Sequence, residues 1–332
     1  MKDILNKLIN QETLSKEEAK SVLVNISSGF YNPSQTASFL TVFMMRNITL
    51  NELSGFREAL LELCISVDFS DFNAVDLCGT GGDGKDTFNI STLASFVAAG
   101  AGAKVAKHGN YGVSSISGSS NVMENLGVKF SSSPEFLKRC IDKANIAILH
   151  APLFHPAMKN VGPIRKELGI KTFFNILGPM VNPSFPKNQV IGVFSLELAR
   201  MYAYLYQNTY INYSILHALD GYDEISLTGD AKIIARSSER IINARDFNLR
   251  NIDPDEIRGG NSVQEAAGIF MNIISGKGTK AQNEVVCANA GLAIAAVENI
   301  PLADGYHKAE ESLKSGSAFE KLKKLQQLSS SL

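Results

Sequence analysis

The sequence carries almost no net charge. Its 32 Lys and Arg stand against 33 Asp and Glu, a formal charge of −1 over 332 residues. Binders of bulk nucleic acid or of membrane surfaces carry a basic excess, so neither partner is expected. A small anionic ligand stays open, because it needs only a local cluster. Cysteine is scarce as well. Cys64, Cys78, Cys140 and Cys287 form no CxxC pair, and none sits beside a histidine at metal-ligand spacing. That excludes a disulfide framework and points to a reducing compartment, with the cytoplasm as the expectation. No apolar run approaches the roughly 20 residues of a membrane span. Met1-Lys2-Asp3-Ile4 turns polar again within a few residues, with no signal-peptide core. Glycine is ordinary in number, at 26 residues, so only its clustering is informative.

What is present suggests two domains. Through residues 1–70 apolar residues recur at helical spacing: Ile4, Leu5, Leu8 and Ile9; Ala19, Val22, Leu23 and Ile26; Phe39, Leu40, Phe43 and Met44; Leu53, Phe56, Leu60 and Leu63. Ser15 with Glu18 and Thr49 with Glu52 are capping-box patterns, and Asn32-Pro33 reads as an N-cap and first helical position. A small helical domain follows. From residue 74 strands alternate with helices. Strand candidates are 74–78, 103–106, 146–149, 190–194, 213–216 and 232–235; helix candidates are 92–100, 134–143, 196–208, 263–275 and 284–297. The fold class is α/β: a small N-terminal helical domain over 1–70 and a larger α/β domain over 71–332 with a mostly parallel central sheet. Residues 163–185, rich in Pro, Gly and Asn, interrupt the alternation and read as an excursion that joins the helical domain. The serine-rich tail, 325–332, is expected to fray.

The chemistry gathers at predicted strand ends. After 74–78 comes Gly79-Thr80-Gly81-Gly82-Asp83-Gly84-Lys85-Asp86-Thr87, four glycines within six residues. It matches G-x-G-x-x-G, but a dinucleotide site wants an acid about 20 residues on, and that stretch holds Lys104 and Lys107 instead. It nearly matches a P-loop, but Asp86 replaces the Mg²⁺-binding hydroxyl. An anion loop of another kind remains, followed by Asn89-Ile90-Ser91-Thr92 at a helix start, where N–H groups favour phosphate. The second strand ends in Lys107-His108-Gly109-Asn110, a cation suited to phosphate. The segment Ser114-Ser115-Ile116-Ser117-Gly118-Ser119-Ser120 offers hydroxyls for an oxygen-rich ligand. Asp223-Glu224 follows the strand near 213–216, and hard carboxylates there suit Mg²⁺ bridging phosphates. His150 and His217 read as strand-end structural residues and His307 as a surface residue.

These motifs, in order and spacing, together with Arg165, Thr172-Phe173-Phe174-Asn175-Ile176-Leu177-Gly178-Pro179 and Asp223-Glu224, resemble the anthranilate phosphoribosyltransferase family over nearly the whole chain. The resemblance implies a homodimer that takes phosphoribosyl pyrophosphate and anthranilate as substrates and Mg²⁺ as cofactor. By resemblance Gly79, Gly82, Asp83, Thr87, Asn89, Ile90, Ser91, Thr92, Lys107 and Ser119 would hold phosphoribosyl pyrophosphate. Ser91, Asp223 and Glu224 would place Mg²⁺. Gly79, Asn110 and Arg165 would bind anthranilate, with Arg165 facing its carboxylate. His108 and His155 would line the substrate channel, and His108 is the candidate proton acceptor. The amine would displace pyrophosphate in a single step, inverting the anomeric carbon. Two positions depart from the commoner pattern: Tyr111 stands where many relatives have arginine, and Asn121 where an acid is frequent. The competing readings are a pyrimidine nucleoside phosphorylase and a non-enzymatic nucleic-acid-binding relative. Asp83 and the acid pair count against the first, and near-zero net charge against the second.

Overall fold

Helix caps and apolar stripes coincide at the start of the chain, so Lys2–Ile9, Lys16–Ser27, Pro33–Met45 and Leu50–Glu62 are helical. Capping boxes at Ser15/Glu18, Asn32/Gln35 and Thr49/Glu52 satisfy first-turn N–H groups. The computed structural model describes residues 1–112 and 116–332 and divides into two compact units. The first comprises Met1–Val67 and Ala151–Pro183; the second comprises Asp68–His150 and Ser184–Leu332.

An aromatic cluster holds the helical unit together. Phe56 stacks on Phe173 at 4.4 Å, and Phe43 meets both rings edge-on at 5.4 and 5.3 Å. Such pairs contribute about 0.5–1.5 kcal/mol each beyond area burial, which fixes the segment bearing Phe173. That segment folds as the helix Gly162–Leu168 and the short turns Phe173–Ile176 and Gly178–Val181. Glu52 does more than cap. It is fully buried, receives Arg46 at 2.5 Å, and accepts the N–H groups of Leu14 and Thr49, each at 2.9 Å. Burial pushes its carboxyl up, but Arg46 and these donors outweigh burial and hold it below the usual range. A depressed folded-state value means that the stabilisation is present above the ordinary glutamate range and is lost on acidification. Glu52→Ala would strand the Arg46 guanidinium, only 7% exposed, at an expected cost of about 3–5 kcal/mol. The urea midpoint of unfolding measures it; an unchanged midpoint would refute a structural role for the pair.

The second unit is built on seven strands: β1 Val75–Gly79, β2 Val105–Gly109, β3 Ile146–His150, β4 Asn188–Gly192, β5 Asn212–Ala218, β6 Ala231–Ala235 and β7 Glu239–Ile242. Their order is β3-β2-β1-β4-β5-β6-β7. The first five run parallel, and the pairings β5–β6 and β6–β7 are antiparallel, so the α/β fold class with a mostly parallel sheet is found. β7 is an added edge strand with three of its four residues exposed, which is why no apolar run announced it. In this unit the helix Ile90–Gly100 is almost wholly buried, and the helix Lys280–Glu298 is buried throughout 284–294. The expectation of a frayed tail is corrected. Ser317–Ser329 is a helix whose Leu322, Leu325 and Ser329 are buried; leucine spacing of a helical face outweighs serine content. Among the described residues, no single helix is long and apolar enough to cross a membrane.

Candidate active site

Strand order reverses between β1 and β4, and in an open parallel sheet the crevice beyond the carboxyl ends at such a point receives ligands. The glycine loop leaves β1 there. Gly79 pairs with Gly192 across the two strands, and the Thr80 N–H donates to the Gly192 carbonyl at 2.9 Å. Gly81, Gly82 and Gly84 have φ of +61°, +76° and +74°, a region that glycine enters without steric cost. The loop after β5 lies directly over this pair. A Cβ on Gly192 would stand 1.6 Å from the Asp223 carbonyl oxygen, and one on Gly79 2.4 Å from Asp223 Oδ2.

That approach lets the backbone hold the acid pair. The Gly81 N–H donates to Asp223 Oδ2 at 2.7 Å, and the Ser91 N–H, in the first turn of Ile90–Gly100, donates to Glu224 Oε1 at 2.9 Å. Asn289, buried in the helix Lys280–Glu298, fixes the next residue. It accepts the Ile225 N–H at 3.0 Å and donates to the Ile225 and Val285 carbonyls at 2.9 Å each. Reading the sequence alone passed over Gly192 and Asn289. A lone glycine ending a strand carries no signal, but an asparagine inside the apolar run Cys287-Ala288-Asn289-Ala290 could have been noticed.

Burial and the neighbouring Asp83 push the Asp223 carboxyl up to about 7. Burial and Asp223 raise Glu224 well above the ordinary carboxylate range, while Lys107 opposes this weakly. Three acids crowd one place with too little positive charge beside them, and their donors are hard oxygens. That set fits Mg²⁺, which uses one or two carboxylates and takes its remaining ligands from water and substrate phosphates. It is not a complete protein cage: among the described residues no group of three His, Cys, Asp or Glu is placed to hold a metal alone. Lys107 is buried, and its Nζ donates to the carbonyl of Leu77, in the middle of β1, at 2.5 Å.

The remaining sequence-predicted residues divide between the units. In the α/β unit, Asp83 Oδ1 accepts the Lys85 N–H at 3.1 Å, and Thr87 bridges the backbone of Arg258. Asn89 Nδ2 donates to the Ser117 carbonyl at 3.0 Å, while Ile90 and Thr92 are buried in the helix that follows. His108 is buried, with its N–H donating to Asp76 Oδ1 at 3.1 Å. The Asn110 carbonyl accepts Ser119 Oγ at 3.3 Å and the Ser120 N–H at 3.1 Å. Gly82 belongs to the same loop as Asp83; Ser114 and Ser115 lie outside the described residues. Asn121 does neutrally what an acid would do there: Oδ1 accepts the N–H groups of Gly112 and Gly118 at 2.9 and 3.0 Å. Arg165 and His155 are in the helical unit. The Arg165 guanidinium lies 5.3 Å from the Phe174 ring centre and donates to Asn175 Oδ1 at 3.2 Å, and its buried Nε has no partner among the described residues. Burial pushes the His155 imidazole down to about 4.

Two family profiles match: the glycosyl transferase family helical bundle domain over residues 2–64, and the glycosyl transferase family a/b domain over residues 71–319. Anthranilate phosphoribosyltransferase of Flavobacterium psychrophilum is 71% identical over 329 residues, covering 99% of this chain and 100% of that relative. The chain belongs to the anthranilate phosphoribosyltransferase family. The crystal structure of the Thermus thermophilus anthranilate phosphoribosyltransferase superposes with a TM-score of 0.89 at 32% identity, covering 98% of each chain. That of the Saccharomyces cerevisiae anthranilate phosphoribosyltransferase in complex with PRPP and Mg has a TM-score of 0.89 at 28% identity, covering 99% of this chain and 97% of that one.

Proposed function

We propose that this protein transfers the 5-phosphoribosyl group from phosphoribosyl pyrophosphate to the amine of anthranilate, releasing pyrophosphate, in tryptophan biosynthesis. The observation that carries this reading is the convergence of the glycine loop and the start of Ile90–Gly100 on the acid pair Asp223-Glu224. N–H groups and the hydroxyls of Thr87, Ser91, Thr92 and Ser119 receive phosphate and ribose oxygens. Gly79, Gly82, Asp83, Asn89 and Ile90 shape that cradle, and Lys107 adds positive charge at its floor. Ser91, Asp223 and Glu224 are the residues that would hold Mg²⁺, whose chemistry is to neutralise the departing pyrophosphate. No covalent nucleophile is needed. The chain's own contribution is to orient the two substrates, with His108 accepting the amine proton.

By the family resemblance, Arg165 is assigned to the anthranilate carboxylate, Gly79 and Asn110 to anthranilate binding, and His155, which burial keeps neutral, to the substrate channel. Arg165→Ala is expected to raise the KM for anthranilate about tenfold or more, the cost of losing one charge-assisted pair. The KM for phosphoribosyl pyrophosphate should change less than twofold. Equal anthranilate KM in variant and parent would remove Arg165 from this role. The protein acts as a homodimer in the cytoplasm: Ile9, Phe30 and Met45 of the helical unit stand exposed, and all four cysteines are free. Phosphorus NMR tests the reaction itself. One pyrophosphate should appear per anthranilate consumed, and thymidine with phosphate should yield no deoxyribose phosphate.

A further inference from the structure

Tyr111 follows Lys107-His108-Gly109-Asn110 directly and is 39% exposed, yet its side chain is held from two sides. Its hydroxyl donates to Glu124 Oε1 at 2.7 Å, on the helix Ser119–Asn125. Its ring meets His150, at the end of β3, edge-on at 4.7 Å. His150 is fixed in turn. It stacks on Phe130 at 4.4 Å, and its Nδ1 lies 2.8 Å from the Ser120 hydroxyl. Ser120 closes the circuit, because its N–H donates to the Asn110 carbonyl, which also accepts Ser119 Oγ. The ring of contacts therefore starts and ends on Asn110 and passes through the residue beside Ser119. A solvated surface tyrosine would lose side-chain entropy in such an arrangement for little return; here the order is transmitted to two site residues.

We propose that Tyr111 is a positioning residue for phosphoribosyl pyrophosphate, acting through Glu124 and His150 to fix Asn110 and Ser119 at the carboxyl end of β2. This rests on the functional reading above. A hydrogen bond to a carboxylate on a partly exposed side chain supports an effect of modest size, so Tyr111→Phe should weaken the Kd for phosphoribosyl pyrophosphate with Mg²⁺ about five- to tenfold. kcat should stay within twofold. Glu124→Ala should match it, and the double variant should be no weaker than either single, because both remove one bond. Glu124→Gln keeps an acceptor and should bring the Kd back to within twofold of the parent. Calorimetry reads the affinity and a thermal scan the fold. An unchanged Kd in Tyr111→Phe, or effects of the two singles that multiply, would overturn the proposal, as would a lowered thermal midpoint with intact affinity. A parent protein that binds phosphoribosyl pyrophosphate but consumes no anthranilate would contradict the functional reading and leave the positioning role standing.

Discussion

Replacing the acid pair, as Asp223→Asn with Glu224→Gln, is expected to lower Mg²⁺-dependent turnover about a thousandfold while leaving the fold as stable as before, or more so. The first half follows from charge. Removing the groups that would hold the cation forfeits about 4 kcal/mol of leaving-group stabilisation. The second half follows from burial. Both carboxyls are raised, Asp223 to about 7, so the folded state binds their protons more tightly than the unfolded chain does. Their contribution to stability is therefore fully present at low pH and is lost as pH rises from about 4 towards 7. At neutral pH the pair opposes folding, and the amides can still accept the Gly81 and Ser91 N–H groups. In the parent protein, Mg²⁺ should raise the thermal midpoint more at pH 7.5 than at pH 5; in the double variant that difference should vanish. Full activity in the variant would reduce the pair to structural acids. A fall in its midpoint at neutral pH would contradict the electrostatic account.

Gly192→Ala should be the most damaging single methyl in the α/β unit. Its Cβ would stand 1.6 Å from the Asp223 carbonyl oxygen, and the atom in the way is backbone that cannot rotate aside. Overpacking of this kind costs about 3 kcal/mol. The relief open to the chain is to lift the Asp223 loop, and a shift of about 1 Å at a catalytic group is worth about a hundredfold in rate. Both losses are expected together, in the urea midpoint and in kcat/KM. Gly79→Ala is the milder control, since its clash is with a carboxylate oxygen at 2.4 Å. It should lose turnover with little stability. If Gly192→Ala turned over normally, the close packing of β4 beneath Asp223 would have no functional weight.

Much of this was legible in the residues. Apolar periodicity with caps located the first four helices, and short buried runs located six of the seven strands. Glycine clustering, a hydroxyl-rich helix start and an acid pair each fell at a strand end, where local sequence and topology agree. The illegible parts depend on contacts distant in sequence. Gly192 meets Asp223, Asn289 meets Ile225, and the ring of Tyr111 meets His150; a local pattern can mark Asn289 as unusual, but none announces the partner of any of them. β7 escaped because its exposed edge has no apolar run, and the last helix because serines masked a leucine face. Lys107 is legible as a cation at a strand end, but its contact with the Leu77 carbonyl comes from packing across the sheet. Charge composition hid the site altogether: three crowded acids and Lys107 disappear among 32 basic and 33 acidic residues that leave a net charge of −1.

The most direct test uses the fluorescence of anthranilate in a mixture with the purified protein. The signal should decay only when phosphoribosyl pyrophosphate and Mg²⁺ are both present, stop when the metal is chelated, and resume when Mg²⁺ is restored. Decay without phosphoribosyl pyrophosphate, or at an undiminished rate after chelation, would contradict a site built from the glycine loop and the Asp223-Glu224 pair.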